Sequence, residues 1–239
     1  MSHPGLGTED AREELDAQRI LAIDDRFDFD RRWHGWERTD HGARAHLHLH
    51  QPADREVDVD KAADAVANLL DALGVDTAAD GLADTPARVA RSFAEMLTPE
   101  PFDVTTFPNE EGYDELVVAR AIPFASLCEH HLLPFSGHAY VGYLPDERLV
   151  GLSKLARVVD HFSRRLQVQE RLTAQVANFL QTALAPKGVG VVLEAEHLCM
   201  SLRGVKAEGS RTVTSALKGI VRDDPRTRSE FLSLAGTRR

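Results

Sequence analysis

The sequence predicts an α+β fold, and three observations lead there. Strand-like apolar patterning covers residues 116–122 and 139–144, then returns over 189–200 and 211–221. Two helical stretches stand together between those strand pairs, so the helices are grouped instead of following every strand. Two more helical stretches precede the first strand.

Residues 1–55 are rich in Asp, Arg and His, hold both tryptophans (Trp33 and Trp36) and show little apolar periodicity. A disordered or loosely docked extension is the default for such a stretch. Within it His46, His48 and His50 alternate with Leu47 and Leu49, which would set three imidazoles on one strand face. A solvated polar face is the ordinary reading of that pattern, and a second metal site the sharper one.

A helix is expected over 57–73, with Val66, Leu69, Leu70 and Leu73 as its stripe and Gly74 as its stop. Asp84-Thr85-Pro86 opens the next, a capping residue with proline in the first turn. Its apolar face is Val89, Phe93 and Leu97, while Arg88 and Arg91 share a face at i, i+3. Ser153 is expected to cap a third helix built on Leu155, Val158, Val159, Phe162 and Leu166. A fourth covers 169–184 on Leu172, Val176 and Leu180. Lys187-Gly188 then turns the chain into a strand, and Asp224-Pro225 opens a short last helix ending at Leu234. The expected division is an N-terminal extension over 1–55, a helical region over 56–98 and an α+β domain over 99–239.

A chain of 239 residues can bury one large core or two small ones. Its formal charge of −10 excludes broad nucleic-acid binding, so an anionic ligand must be met by local basic clusters. No apolar run is long enough to span a bilayer, and Met1-Ser2-His3-Pro4 lacks the basic and apolar parts of an export signal. With only two cysteines, a reducing cytoplasm is the expected setting.

Each cysteine lies within three positions of a histidine, in Cys128-Glu129-His130-His131 and in His197-Leu198-Cys199. Thiolate and imidazole suit a soft dication such as zinc. Cys128 and His131 can share an ion across one tight turn. His197 and Cys199, at i and i+2 on an extended strand, would project from the same face. One disulfide or inert core packing is also compatible with these residues. Spacing does not rank His130 against His131. The donors exceed what zinc needs, so three ligands, a fourth position open to water and spare histidines for proton transfer are expected.

Several segments coincide, in order, with one family. Asp84-Thr85-Pro86-x-Arg88-Val89, Cys128-Glu129-His130-His131-Leu132-Leu133-Pro134-Phe135 and Val150-Gly151-Leu152-Ser153-Lys154-Leu155-Ala156-Arg157 are followed by Gln167-Val168-Gln169-Glu170-Arg171-Leu172-Thr173. His197-Leu198-Cys199-Met200, Arg203-Gly204-Val205 and Thr212-Val213-Thr214-Ser215 complete the set. From about residue 57 onward the chain resembles the zinc-dependent type of GTP cyclohydrolase I.

That resemblance implies hydrolytic opening of the guanine imidazole ring of GTP. Formate leaves from C8, and ring closure after a sugar rearrangement gives 7,8-dihydroneopterin triphosphate, the entry to tetrahydrofolate or biopterin synthesis. It implies a tunnelling fold, in which four-stranded antiparallel sheets, each with two helices on one face, join into a barrel between subunits and lose their free edges. A homodecamer of two face-to-face pentamers is the implied assembly, with active sites at subunit boundaries.

By the same resemblance Cys128, His131 and Cys199 hold one zinc ion per subunit, which brings the pKa of a bound water toward about 7. His197 carries protons with His130 as partner, since histidine titrates near working pH. Glu170, with Gln169 beside it, reads the N1–H and 2-amino edge of guanine. Ser153, Lys154, Arg157 and Arg203 meet the triphosphate, joined by Arg88 and Arg91 from a neighbouring subunit. Many relatives carry lysine where Arg91 stands. Lys206 and Arg211 are auxiliary cations, and Glu129 has no role assigned by the motif.

Two other readings fit less well. A related tunnelling-fold reductase of a deazaguanine nitrile needs a nucleophilic cysteine and a nicotinamide, not a three-donor metal set. A regulatory paralogue that binds GTP without turnover is expected to lack His130, His197 or Glu170, and all three are present.

Overall fold

The computed structural model describes residues 36–41, 44–49, 57–79 and 81–236. Helix α1 (Val59–Ala72) begins at Asp58, whose carboxylate accepts the Lys61 N–H, and the chain leaves it through Gly74 at φ +76°. Helix α2 (Thr85–Leu97) starts where the Asp-Thr-Pro signal places it, and packs against α1. Asp84 makes no side-chain cap there and pairs with Arg88 instead, at 3.1 Å.

The strands are β1 (Trp36–His41), β2 (Arg44–Leu49), β3 (Phe102–Pro108), β4 (Val117–Cys128), β5 (Pro134–Leu144), β6 (Arg148–Val150), β7 (Leu166–Gln167), β8 (Gly188–His197) and β9 (Thr212–Gly219). One antiparallel sheet has the order β1-β2-β3-β6. Part of the expected extension is therefore strand, since β2 pairs along β3 with Leu47 opposite Val104. His46 and His48 fall in β2, while His50 and the first 35 residues lie outside the described ones.

The larger sheet has the order β7-β4-β5-β8-β9. Its β4, β5, β8 and β9, the four strands the sequence predicts, each pair antiparallel with the next. The two-residue β7 adds a parallel edge on Leu127 and Cys128, so the sheet is mixed and not purely antiparallel. Strand β4 runs six residues past its expected end. A bulge between Ala119 and Ile122, with Ala121 at φ +53°, interrupts its alternation.

Helices α3 (Leu152–Ser163) and α4 (Gln169–Leu184) cover one face of this sheet, α3 against β4 and α4 against β8 and β9. Leu155, Val158, Val159, Phe162, Leu172, Val176 and Leu180 are buried there as their spacing predicts. Three local expectations change. Gly151, not Ser153, is the α3 N-cap, which puts Ser153 inside the first turn. Leu166 leaves the helical stripe for β7 and is exposed. The strand through His197 stops at that residue, and Cys199 sits on the single turn α5 (Leu198–Ser201).

On β8, Val189, Val191, Leu193 and Ala195 alternate with Gly190 and Val192. The second set faces a separate cluster of Val192, Val221, Phe231 and Ala235. Phe231 belongs to α7 (Pro225–Leu234), reached through the short α6 (Ile220–Asp223) and capped by Asp224 as predicted. Gly142 and Gly190 are cross-strand partners, and a Cβ on Gly190 would meet the Phe231 ring at 2.5 Å. Both faces are thus occupied under β8, which explains its continuous apolar run. No helix among the described residues is long and apolar enough to cross a membrane.

Candidate metal centre and active site

The site forms where β4 and β8 end, at one end of the larger sheet. Cys128 is the last residue of β4 and is buried. The following turn is tight: Leu133 O accepts the Cys128 N–H at 2.9 Å, and Cys128 O accepts the N–H groups of His131 and Leu132. Leu132 takes φ +54° to close it. Both His130 Nδ1 and His131 Nδ1 lie 3.8 Å from Cys128 Sγ. Only His131 completes a group with Cys199, in which all three ligand atoms fall within 4.8 Å of one another. Geometry thus separates the two histidines that spacing left equal.

Neither cysteine is in a disulfide. Around zinc, Zn–S of about 2.3 Å and Zn–N of about 2.0 Å at tetrahedral angles put donors about 3.5–3.8 Å apart. The measured 3.8 Å from Cys128 Sγ to His131 Nδ1 fits that spacing. Burial pushes the Cys199 thiol up from its ordinary value, and the neighbouring Cys128 pushes it further. Two thiols this close to each other and to an imidazole suit a dication, which takes thiolates as ligands. The donor set fits zinc.

His197 stacks on the buried ring of Phe135, with centroids 4.6 Å apart and planes 1° from parallel. Its Nε2 meets Gln169 Oε1 at 2.8 Å. Burial draws the imidazole below its usual value, and the Glu170 carboxylate partly offsets this. Glu170 is exposed in the first turn of α4, close enough to act on His197 electrostatically. Gln169 is different. It is 1% exposed, and its amide points into the protein. Each of its amide atoms has a protein partner, and the one on Oε1 is His197.

Glu129, without a role in the sequence reading, receives two hydrogen bonds from Arg171, at 2.6 and 3.0 Å. Those bonds hold its carboxyl below the usual range. Arg203 follows α5 closely, and its charge acts on Cys199. Ser153, Lys154 and Arg157 occupy the first turns of α3. Among the described residues, none of those three side chains has a hydrogen bond or ion pair. Arg88 and Arg91 are exposed on α2, Arg88 held by Asp84. Arg211 lies 3.8 Å from Glu194, and Lys206 is exposed with φ +51°. Phe135 and Arg171 are the functional neighbours that sequence reasoning passed over, although both stand inside quoted motifs.

Two thiols and an imidazole converging at the end of a mixed, helix-backed sheet define an α+β protein with a zinc centre. The sequence profile of the GTP cyclohydrolase I family matches residues 62–236. GTP cyclohydrolase 1 of Aquifex aeolicus (strain VF5) is 52% identical over 178 residues, covering 74% of this chain and 97% of that protein. The Thermobifida fusca (strain YX) protein of the same name is 53% identical over 180 residues, covering 73% and 87%. The chain belongs to the GTP cyclohydrolase I family. Among solved structures, the apo archaeosine synthase QueF-Like aligns with a TM-score of 0.34 and 18% identity, over 44% of this chain and 93% of that one. So slight a likeness has no bearing on the fold.

Proposed function

We propose that this chain converts GTP and water to formate and 7,8-dihydroneopterin triphosphate, the first step toward tetrahydrofolate and other pterins. The observation that carries the reading is the convergence of Cys128, His131 and Cys199 beside His197, in a chain of this family. When bound, zinc supplies Lewis acidity and makes water a stronger nucleophile near neutral pH.

The chain's own residues do the rest. His197 gives and takes the protons required as the C8–N9 and C8–N7 bonds break, with His130 as its partner. Phe135 behind the ring keeps water from one face of His197. Glu170 accepts from guanine N1–H and the 2-amino group, an edge adenine lacks, and discrimination of about 10⁴ is within reach of such a site. The N-terminal turn of α3 offers Ser153 and backbone N–H groups to phosphate. Among the described residues Lys154, Arg157 and Arg203 have no salt bridge to break, so their charge is available, and guanidinium groups grip phosphate in a fork.

The α2 cations Arg88 and Arg91 act in a neighbouring subunit's site, within a homodecamer of two pentamers. In that assembly β4, β5, β8 and β9 join those of adjacent subunits in a tunnelling-fold barrel. Residues 99–239 form the catalytic domain, 56–98 the helical region and 1–55 an extension. The test is incubation of purified protein with GTP and no nicotinamide, reading formate and the fluorescent oxidised pterin together. Equimolar formate and pterin support the reading, and GTP recovered intact refutes it.

A further inference from the structure

The carboxamide of Gln169 sits in a network whose hydrogen-bond directions are all determined. Its Nε2 lies 3.1 Å from Leu193 O and 3.0 Å from Thr212 O. Backbone carbonyls only accept, so this atom must be the amide nitrogen. The same nitrogen lies 3.1 Å from Thr214 Oγ1. Thr173 Oγ1 donates to Gln169 O at 2.7 Å, so in its 2.6 Å contact with Thr214 Oγ1 the proton comes from Thr214. Thr214 therefore keeps a lone pair for Gln169. Every donor has an acceptor and the loop closes on itself. Gln169 and Thr173 are each 1% exposed, which makes a reversed amide costly.

It follows that Gln169 Oε1 is an acceptor, and that His197 Nε2, 2.8 Å away, carries a hydrogen. We propose that Gln169 is a positioning residue that locks His197 as the Nε2–H tautomer, leaving Nδ1 as the ring nitrogen that serves the substrate. Phe135 fixes the ring plane from behind, with 1° between the two planes, so tautomer and orientation are set by different neighbours. His197 Nδ1 has no hydrogen bond to a described residue and is not among the buried polar atoms that lack one. The inference rests on the proposed reading of His197 as proton carrier and deepens it. It also separates Gln169 from Glu170: adjacent in sequence, the first holds the His197 ring while the second is exposed.

The test uses the full-length, zinc-loaded protein labelled with ¹⁵N-histidine, at about pH 8 where an imidazole is neutral. The His197 signals are assigned by their loss in His197→Ala. A protonated Nε2 with a bare Nδ1 is the expected result, and an Nδ1–H ring overturns the proposal. In Gln169→Leu, kcat is expected to fall about 10- to 100-fold with the KM for GTP nearly unchanged. A raised KM at unchanged kcat would make Gln169 a substrate contact and overturn the assignment. Wild-type turnover in His197→Ala sinks the proton-carrier reading, and this inference with it. An Nδ1–H ring in an enzyme that does require His197 sinks this inference alone.

Discussion

Arg171 donates to both carboxylate oxygens of Glu129, at 2.6 and 3.0 Å, and so ties the first turn of α4 to the turn holding Cys128 and His131. The Glu129 N–H is itself fixed on Gln167 O at 3.0 Å. The metal turn is thus held from the same helix that presents Glu170. Outer partners of this kind set ligand orientation, and their loss weakens metal binding about 10- to 100-fold. Arg171→Met is expected to lose zinc to a competing chelator at a correspondingly lower concentration. An unchanged zinc affinity would show that the turn keeps its shape without the clamp.

Zinc bound here links the β4–β5 turn to α5, elements far apart in sequence. A ligand that binds only the folded state stabilises it by mass action. Chelation is therefore expected to lower the thermal midpoint of the wild-type protein and to leave Cys199→Ala almost unaffected. Equal shifts in the two proteins would place the stabilising ion elsewhere.

For base selection the informative variant is Glu170→Ala. Its side chain is exposed in the first turn of α4 and has no structural duty among the described contacts. The variant is expected to keep its zinc and its thermal midpoint while losing at least about 10²-fold in kcat/KM for GTP. Full preference for GTP over ATP in this variant would remove Glu170 from guanine recognition.

A pH effect arises away from the site. His161 is buried between Phe102 and Phe162, with ring centroids 5.8 and 5.4 Å away. Burial, assisted by the Arg165 charge, draws its imidazole down to about 4. The unfolded chain, with its pKa near 6.5, therefore binds this proton more readily than the folded one. The stability is complete above about pH 6.5 and drains away as pH falls toward 4, reaching a loss of roughly 2 kcal/mol at pH 5. His161→Phe is expected to flatten that part of the thermal-midpoint profile. An equally steep profile in the variant would assign the acid sensitivity to other groups.

The grouped helices were legible because each carries an apolar stripe of helical period, and α4 begins and ends where that stripe predicts. Strand β3 was harder to see: its buried positions are Phe102, Val104 and the polar Thr106, which breaks the expected apolar alternation. The far half of β4 was hidden by the bulge and by Pro123, which ordinarily argues against a strand. Pro123 is tolerated because β7 reaches only Leu127 and Cys128, so no described strand pairs with that edge beside it. Of the site, the three metal donors could be named from residue type and motif, yet the strand geometry assumed for His197 and Cys199 was not what joins them. A one-turn helix is too short to carry a periodic signal. The partners of Gln169 and Glu129 come from strands and helices distant in sequence, so only tertiary structure exposes their roles.

The most direct test of the central claim measures zinc content and formate release on one sample of the full chain with GTP. The account predicts one zinc per chain, formate release that stops when a chelator removes the metal, and recovery when zinc is restored. Undiminished formate release from fully metal-free protein would contradict it.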